Sequence, residues 1–281
     1  MRQTLMCISV VLLVLSCQRQ SVESRLEDKA VVSVSLPVEA YFVERLAGER
    51  VDVNVLVPQS AGHSDYSPLP SQMMELSRSS MYMAIGDLDF EIVWKAKMTS
   101  VNGGMRWVDL SEGIVKEEEE HDGHRHADPH YWLSPKQVRQ MVRNMAGALK
   151  QVLPGDAVAI DSAAETLSVE IDSLDRELET LAGEKSISFM IYHPALTYVA
   201  RDYGMSQYEI ERDGNAPSPQ TYMNEIELAK SAGVRAIFVQ QGYDRQKAES
   251  AAQMIGARVV DFNPESREWK SPMETVIKAL R

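Results

Sequence analysis

One uninterrupted helical stretch constrains the fold of this chain more than any other feature. Residues 155–182, GDAVAIDSAAETLSVEIDSLDRELETLA, contain no proline and no glycine beyond Gly155. Apolar residues recur with helical spacing along it, at positions 160, 163, 164, 167, 171, 174, 178 and 181. A helix of this length extends on the order of 40 Å, which exceeds the width of a small domain. The pattern predicts a rigid helix, residues 154–183, that connects two folding units.

Strands and helices alternate on both sides of this helix. The segment AVVSVSL (30–36) has strand character, PVEAYFVERLAGER has helical spacing, and VDVNVLVP alternates as a strand does. The same alternation restarts with ISFMIY and continues to a final helix, PMETVIKALR. We therefore predict an α/β fold of two (β/α) lobes with parallel-sheet cores, residues 30–153 and 184–281, joined by one long helix with a cleft between them.

The N-terminus predicts export and attachment to a membrane. An apolar run from Leu5 to Leu15 follows Arg2 and is too short to span a bilayer as a stable helix. We interpret residues 1–16 as a signal peptide. Val14-Leu15-Ser16-Cys17 resembles a bacterial lipobox, so Cys17 is predicted to carry a lipid and residues 17–29 to form a tether. The alternative is an ordinary signal peptide with an incidental cysteine.

Charge and cysteine content exclude some classes of function. The whole chain carries a net charge of −12, which argues against a nucleic-acid-binding protein because such a protein needs a basic face. Its two cysteines are Cys7 and Cys17; if cleavage occurs before Cys17, Cys7 leaves with the signal peptide and Cys17 is acylated. The mature domain is then left with no disulfide and no cysteine metal ligand.

The six histidines divide into a cluster and three isolated residues. The cluster lies in the polar tract EEEEHDGHRHAD, residues 117–128, which we expect to form a loop without regular structure. His63 follows the second strand, His130 lies in a loop before a helix, and His193 ends the first strand of the second lobe. Parallel α/β sheets bind ligands at the carboxyl ends of their strands, and His63 and His193 fit that edge.

Several stretches together resemble the zinc- or manganese-binding lipoproteins of ABC importers, the cluster A-I solute-binding proteins. They follow in the family's order and spacing from about residue 37 to 264: YFVERLAGERVDVNVLVP, GHSDYSPLPSQM, DPHYWLSPKQV, IYHPALTYVARDYGM and GNAPSPQ. The resemblance implies a metal ion in the cleft, bound by His63 and His130 of the first lobe and by His193 of the second. It also implies a carboxylate near the last strand and an ABC-type permease as the partner.

The fourth ligand is where the chain departs from the family pattern. Many members end the last strand with Asp-Pro, whereas this chain has Asn263 before Pro264. Either Asp261, which lies two residues earlier on the same strand face, supplies the carboxylate, or Asn263 leaves the position to water. Glu211 is a less favoured third choice.

Three imidazoles without a cysteine favour Zn²⁺ over Mn²⁺, because manganese prefers more oxygen donors. We therefore expect a monomeric, membrane-anchored zinc-binding protein on the periplasmic or cell-surface side of the membrane. We expect it to have no enzymatic activity and no nucleic-acid partner. The rival functions are manganese binding, adhesion and zinc-dependent hydrolysis, but no HExxH motif supports the last. The clustered histidines either capture or sense metal weakly or belong to a solvated loop without a role; they are His121, His124 and His126.

Overall fold

The computed structural model describes residues 29–59, 61–62, 66–121, 124–184, 186–211 and 217–281. Within these ranges, none of the helices is both long enough and apolar enough to cross a bilayer. The predicted signal peptide, the lipidated Cys17 and all of the tether except Lys29 lie outside the described residues, as does His63.

The first lobe is built on a four-stranded parallel sheet of order β2-β1-β3-β4. Valines on β1 are buried between the helices on both faces, as expected for a central parallel strand. The elements of this sheet and its helices are β1 (Ala30–Val34), α1 (Pro37–Ala47), β2 (Val51–Val55), α2 (Pro70–Ser77), β3 (Ser79–Ala84), α3 (Asp89–Val101), β4 (Arg106–Asp109) and, further along the chain, α4 (Pro135–Val152).

A two-stranded antiparallel hairpin, β5 (Glu118–His121) and β6 (His124–Ala127), lies between β4 and α4. The expectation that this tract lacks regular structure was therefore wrong. The ends of the hairpin are held, because the Asp128 N–H donates to the Glu117 carbonyl at 2.8 Å and the Glu117 N–H donates to the Tyr198 hydroxyl at 3.1 Å. Polar composition did not prevent pairing, since backbone hydrogen bonds form the ladder.

The second lobe repeats the architecture with a parallel sheet of order β10-β9-β7-β8. Strand β8 was not predicted, because SQYE is polar and lies at the edge of the sheet. The elements are β7 (Ser188–Ile191), α6 (Thr197–Tyr203), β8 (Ser206–Glu209), α7 (Pro219–Ser231), β9 (Ala236–Gln240), α8 (Arg245–Ile255), β10 (Arg258–Phe262) and α9 (Lys270–Leu280).

The long helix α5 (Ala157–Glu184) runs between the two sheets in the chain and packs against both lobes. It contacts α1 and α4 of the first lobe and α6 and α9 of the second. Its buried residues form one stripe at the predicted spacing: Ile160, Leu167, Ile171, Leu174, Leu178 and Leu181.

One hydrophobic core continues from the first lobe through α5 into the second. Two tryptophans reinforce it at the lobe boundary. Trp132 donates its indole N–H to the Pro264 carbonyl at 2.9 Å, and Trp269 donates to the Trp132 carbonyl at 2.7 Å. A large apolar contact of this kind opposes independent motion of the lobes, so side chains at the boundary have fixed positions.

Candidate metal centre

His130 is held rigidly by its own turn. It begins the short 3-10 helix His130–Leu133 directly after Pro129, and its side chain is buried. The Asp128 Oδ1 atom lies 2.8 Å from the His130 backbone nitrogen and 2.7 Å from its Nδ1 atom. An ionised carboxylate only accepts hydrogen bonds, so Nδ1 carries the proton and the lone pair lies on Nε2. Nε2 is therefore the atom of His130 that can bind a cation.

Asp128 is suited to this role because it is ionised in a buried position. Burial by itself would raise the pKa of its carboxyl, but the electrostatic interaction with the His130 ring and the hydrogen bonds from His130 and Thr197 outweigh burial and lower the pKa. The Tyr198 hydroxyl of the second lobe also donates to the Asp128 carbonyl at 2.7 Å. The turn that carries His130 is thus tied to both lobes.

The aromatic residues after His130 explain why this histidine differs from the clustered ones. Tyr131 is buried and donates its hydroxyl to the Ile85 carbonyl at the end of β3, at 2.7 Å. The Trp132 ring is fully buried, and its centroid lies 5.0 Å from that of His130. Ser134 stands at the N-terminus of α4, but its hydroxyl does not cap the helix. It donates instead to Asp202 of the second lobe at 2.5 Å.

His193 reaches the same region from the second lobe, two residues after the end of β7. The side-chain amide of Gln240, at the end of β9, makes two hydrogen bonds with the His193 backbone. The His193 N–H donates to Gln240 Oε1 at 3.3 Å, and Gln240 Nε2 donates to the His193 carbonyl at 2.7 Å. The ring stacks on Tyr243, with centroids 5.5 Å apart. Glu211 Oε1 lies 3.6 Å from His193 Nδ1.

The two imidazoles lie edge to face across the lobe boundary, with ring centroids 5.4 Å apart. Two imidazoles on one tetrahedral zinc ion place their ring centroids about 5 Å apart, given Zn–N bonds of about 2.0–2.1 Å. The observed separation therefore suits a shared cation. Within the described ranges, no three histidine, cysteine or acidic side chains are grouped closely enough to hold a metal ion by themselves. His63, the third predicted imidazole, lies outside those ranges.

The residues expected near the fourth position are engaged elsewhere. The Asp261 side chain is 80% exposed and forms an ion pair with Arg245. The Asn263 side-chain oxygen accepts the Glu265 N–H at 3.2 Å and so closes the turn after β10. Asp261 as the fourth ligand, with Asn263 as its alternative, stays a prediction.

Glu265 is a residue of this region that the sequence did not single out. Burial raises the pKa of its carboxyl to about 7, and the nearby His193 opposes that rise. The carboxylate of Glu265 also contributes to raising the pKa of Tyr243 to about 12, behind burial and Glu211. A glutamate one residue after the family's Asp-Pro position was the available signal.

The clustered histidines lie on the two strands of the hairpin. Backbone pairing sets His121 opposite His124 and Glu119 opposite His126. The role predicted for them, weak capture or sensing of metal, stays a prediction.

Two acidic side chains, Glu39 and Glu91, are buried in the first lobe. Glu91 accepts the Ile85 and Gly86 N–H groups at 2.8 and 2.9 Å and a hydrogen bond from Ser35. Burial raises the pKa of Glu91 to about 8 despite these donors. Burial and the neighbouring Glu91 also raise the pKa of Glu39, which is fully buried. This pair makes the stability of the first lobe depend on pH.

Two parallel α/β lobes, one long helix and imidazoles from both lobes at their boundary define a solute-binding protein of the two-lobed, metal-binding class. A family model described as the periplasmic component A of the zinc-uptake complex matches residues 32–281. The chain belongs to this family.

Individual proteins agree with that assignment. The high-affinity zinc uptake system protein ZnuA of Bacillus subtilis is 26% identical over 271 residues, which cover 90% of this chain and 84% of that protein. The zinc-binding lipoprotein AdcA of Streptococcus pneumoniae is 24% identical, and the match covers 89% of this chain and 55% of AdcA. A crystal structure of ZnuA superposes with a TM-score of 0.83 at 30% identity, covering 90% of this chain and all of that one.

Proposed function

We propose that this protein binds one Zn²⁺ ion between its lobes through His63, His130 and His193 and delivers it to an ABC-type permease. The observation that carries the proposal is the pair of imidazoles, one from each lobe, at the 5.4 Å separation of rings that share a cation. His63 completes the set as the family ligand position that precedes α2.

The donor set favours zinc over manganese. Imidazole nitrogens suit zinc, whereas manganese prefers a site rich in carboxylate, carbonyl and water oxygens. Asp128 strengthens this preference, because a carboxylate on Nδ1 increases the basicity of the nitrogen that binds the metal. The match to a zinc-uptake family supports the same choice.

The proposed setting is the outer side of the cytoplasmic membrane. Cys17 carries the lipid anchor, residues 17–29 form the tether, and the folded lobes act as a monomer that meets the permease at the membrane. The description of the family as periplasmic and the lipoprotein name of AdcA support this location. The role is binding and release without turnover, and the continuous core supports a site that is formed before the ion arrives.

Single alanine substitutions test the ligand set. His63→Ala, His130→Ala and His193→Ala are each expected to weaken zinc binding sharply and to remove most of the zinc-induced rise in melting temperature, because a ligand stabilises the native state by a free energy that grows with the logarithm of its affinity. His126→Ala is the matched control, since it removes an imidazole from the hairpin and leaves the boundary intact. Competition with a chelator measures the affinity. Unchanged zinc binding by His193→Ala would refute a site between the lobes.

A further inference from the structure

Tyr198 joins the two lobes at the point where each of them carries an imidazole. It lies in the first turn of α6 in the second lobe, and its side chain is fully buried. Its hydroxyl donates a hydrogen bond to the Asp128 carbonyl of the first lobe at 2.7 Å and accepts one from the Glu117 N–H at 3.1 Å. A single oxygen atom therefore contacts both the turn that carries His130 and the base of the β5–β6 hairpin.

The position of Tyr198 relative to His193 is fixed by the segment that connects them. The side-chain amide of Gln240 on β9 makes two hydrogen bonds with the His193 backbone. The Leu196 N–H donates to Gln207 Oε1 of β8 at 3.1 Å, and α6 begins at the next residue. His193 and Tyr198 thus belong to one segment, and side chains from the second-lobe sheet hold its backbone at two points.

In the first lobe, the hydrogen bond from Tyr198 ends on the residue that orients His130. The Asp128 carboxylate accepts from the His130 backbone and from its Nδ1 atom, while the Asp128 carbonyl is the acceptor for Tyr198. The Tyr198 ring also packs edge to face against Tyr131, with centroids 6.3 Å apart. A shift of Asp128 would therefore move the acceptor that leaves Nε2 of His130 free to bind a cation.

The base of the hairpin depends on the same helix of the second lobe. The Asp128 N–H donates to the Glu117 carbonyl at 2.8 Å, so the two ends of the hairpin pair with each other as well as with Tyr198. One turn further along α6, Arg201 donates to the Val115 carbonyl and to Glu117 Oε1, both at 2.8 Å. The hairpin is thus attached to the second lobe, although it lies between two elements of the first lobe in the chain.

We propose that Tyr198 is a positioning residue for zinc binding, which sets the His130 turn against the segment that carries His193 and couples the base of the hairpin to occupation of the site. This inference rests on the proposed zinc site, through His130 and His193. An ion bound by both imidazoles holds the two segments that the Tyr198 hydroxyl also joins. Because coupling between two sites is reciprocal, whatever strengthens these hydrogen bonds also strengthens zinc binding.

Tyr198→Phe removes the hydroxyl and keeps the ring, and Tyr203→Phe is the matched control. Tyr203 is a buried residue of the same helix, but its hydroxyl donates to Asp175 of α5, at 2.6 Å. Tyr198→Phe is expected to weaken zinc binding by about tenfold, the lower end of the range for groups that orient a ligating histidine, whereas Tyr203→Phe is expected to bind zinc as the unmodified protein does. Chelator competition measures the affinities, and melting temperatures of the metal-free variants compare their folds. Equal zinc affinities of the two variants would overturn the proposal.

Hydrogen exchange of the Glu117 amide provides a readout that a merely structural role would not change. In the unmodified protein, zinc is expected to slow this exchange, because the ion holds the acceptor of the Glu117 N–H in place. Tyr198→Phe removes that acceptor, so zinc should no longer slow exchange at Glu117, whereas Tyr203→Phe should retain the effect. The unmodified protein carries the test if Tyr198→Phe does not fold, since a Glu117 exchange rate that zinc leaves unchanged would also overturn the coupling.

His193→Ala distinguishes failure of this inference from failure of the zinc site itself. If His193→Ala loses zinc while Tyr198→Phe and Tyr203→Phe bind it equally well, the site between the lobes stands and Tyr198 does not position it. If His193→Ala keeps the affinity of the unmodified protein, the zinc site between the lobes is wrong, and the role of Tyr198 in zinc binding is wrong with it.

Discussion

The hydrogen bonds between Asp128 and His130 predict two separable effects of substitution. Asp128→Ala removes the acceptor of the 2.8 Å backbone bond and of the 2.7 Å bond from Nδ1. Loss of a carboxylate behind a ligating histidine costs about 10–100-fold in affinity, or about 1.4–2.7 kcal/mol. The His130 N–H is left buried without its acceptor, which costs a further 1–3 kcal/mol, roughly, in the free energy of unfolding.

Asp128→Asn separates the two effects because it keeps an oxygen acceptor and the side-chain volume. It is expected to lower zinc affinity by about tenfold, the lower end of the range, and to change the free energy of unfolding by less than about 1 kcal/mol. Chelator competition gives the affinities, and urea unfolding of the metal-free proteins gives the stabilities. The reasoning would be refuted if Asp128→Ala bound zinc as tightly as the unmodified protein, because Nδ1 of His130 would then need no acceptor.

Three further outcomes are expected. The pKa of Glu91 in the folded state is raised to about 8 from its ordinary value of 4.5. Between pH 4.5 and pH 8 the native state therefore binds more protons than the unfolded state. The free energy of unfolding falls as pH rises through this window. Since one pKa unit is worth about 1.4 kcal/mol, urea unfolding at pH 5 and pH 8 should differ by a few kcal/mol, and Glu91→Gln should remove much of the difference; an unaltered pH dependence in that variant would contradict the assignment. Cys17→Ala should release the protein from membranes or leave it unprocessed, as fractionation and mass spectrometry of the N-terminus would show; a wild-type protein without an acyl group would contradict the anchor. Combined replacement of His121, His124 and His126 by alanine should remove weak additional zinc binding in a calorimetric titration and keep one tight site, whereas loss of the tight site would mean that the hairpin forms it.

The parallel lobes and the long helix could be predicted because their signals are local. Valine-rich strands and the helical period of residues 155–182 report backbone preference and burial directly. The order of the strands in each sheet could not be predicted, because it depends on tertiary packing. The sequences of β1 and β7 do not specify which strands lie beside them. Strand β8 was missed for the same reason, since its pairing with β7 rather than its polar composition determines its structure.

At the metal site, the sequence indicated which residues could bind the ion but not which side chains lie close to one another. The isolated positions of His130 and His193 and the family motifs around them identified the two imidazoles that the structure brings together. Asp261 lies on β10, two residues before the family position, but its side chain is exposed and pairs with Arg245. The turn after β10, which carries Glu265, is held by a tryptophan about 130 residues earlier in the chain, and the local sequence does not indicate that contact.

The central claim is a single zinc ion between the lobes, and an anomalous difference map from crystals of the zinc-loaded protein at the zinc absorption edge tests it most directly. The account predicts one dominant peak at the lobe boundary, about 2.0–2.1 Å from the Nε2 atoms of His130 and His193, with His63 at the same distance. A dominant peak on the hairpin of β5 and β6, with none between His130 and His193, would contradict it.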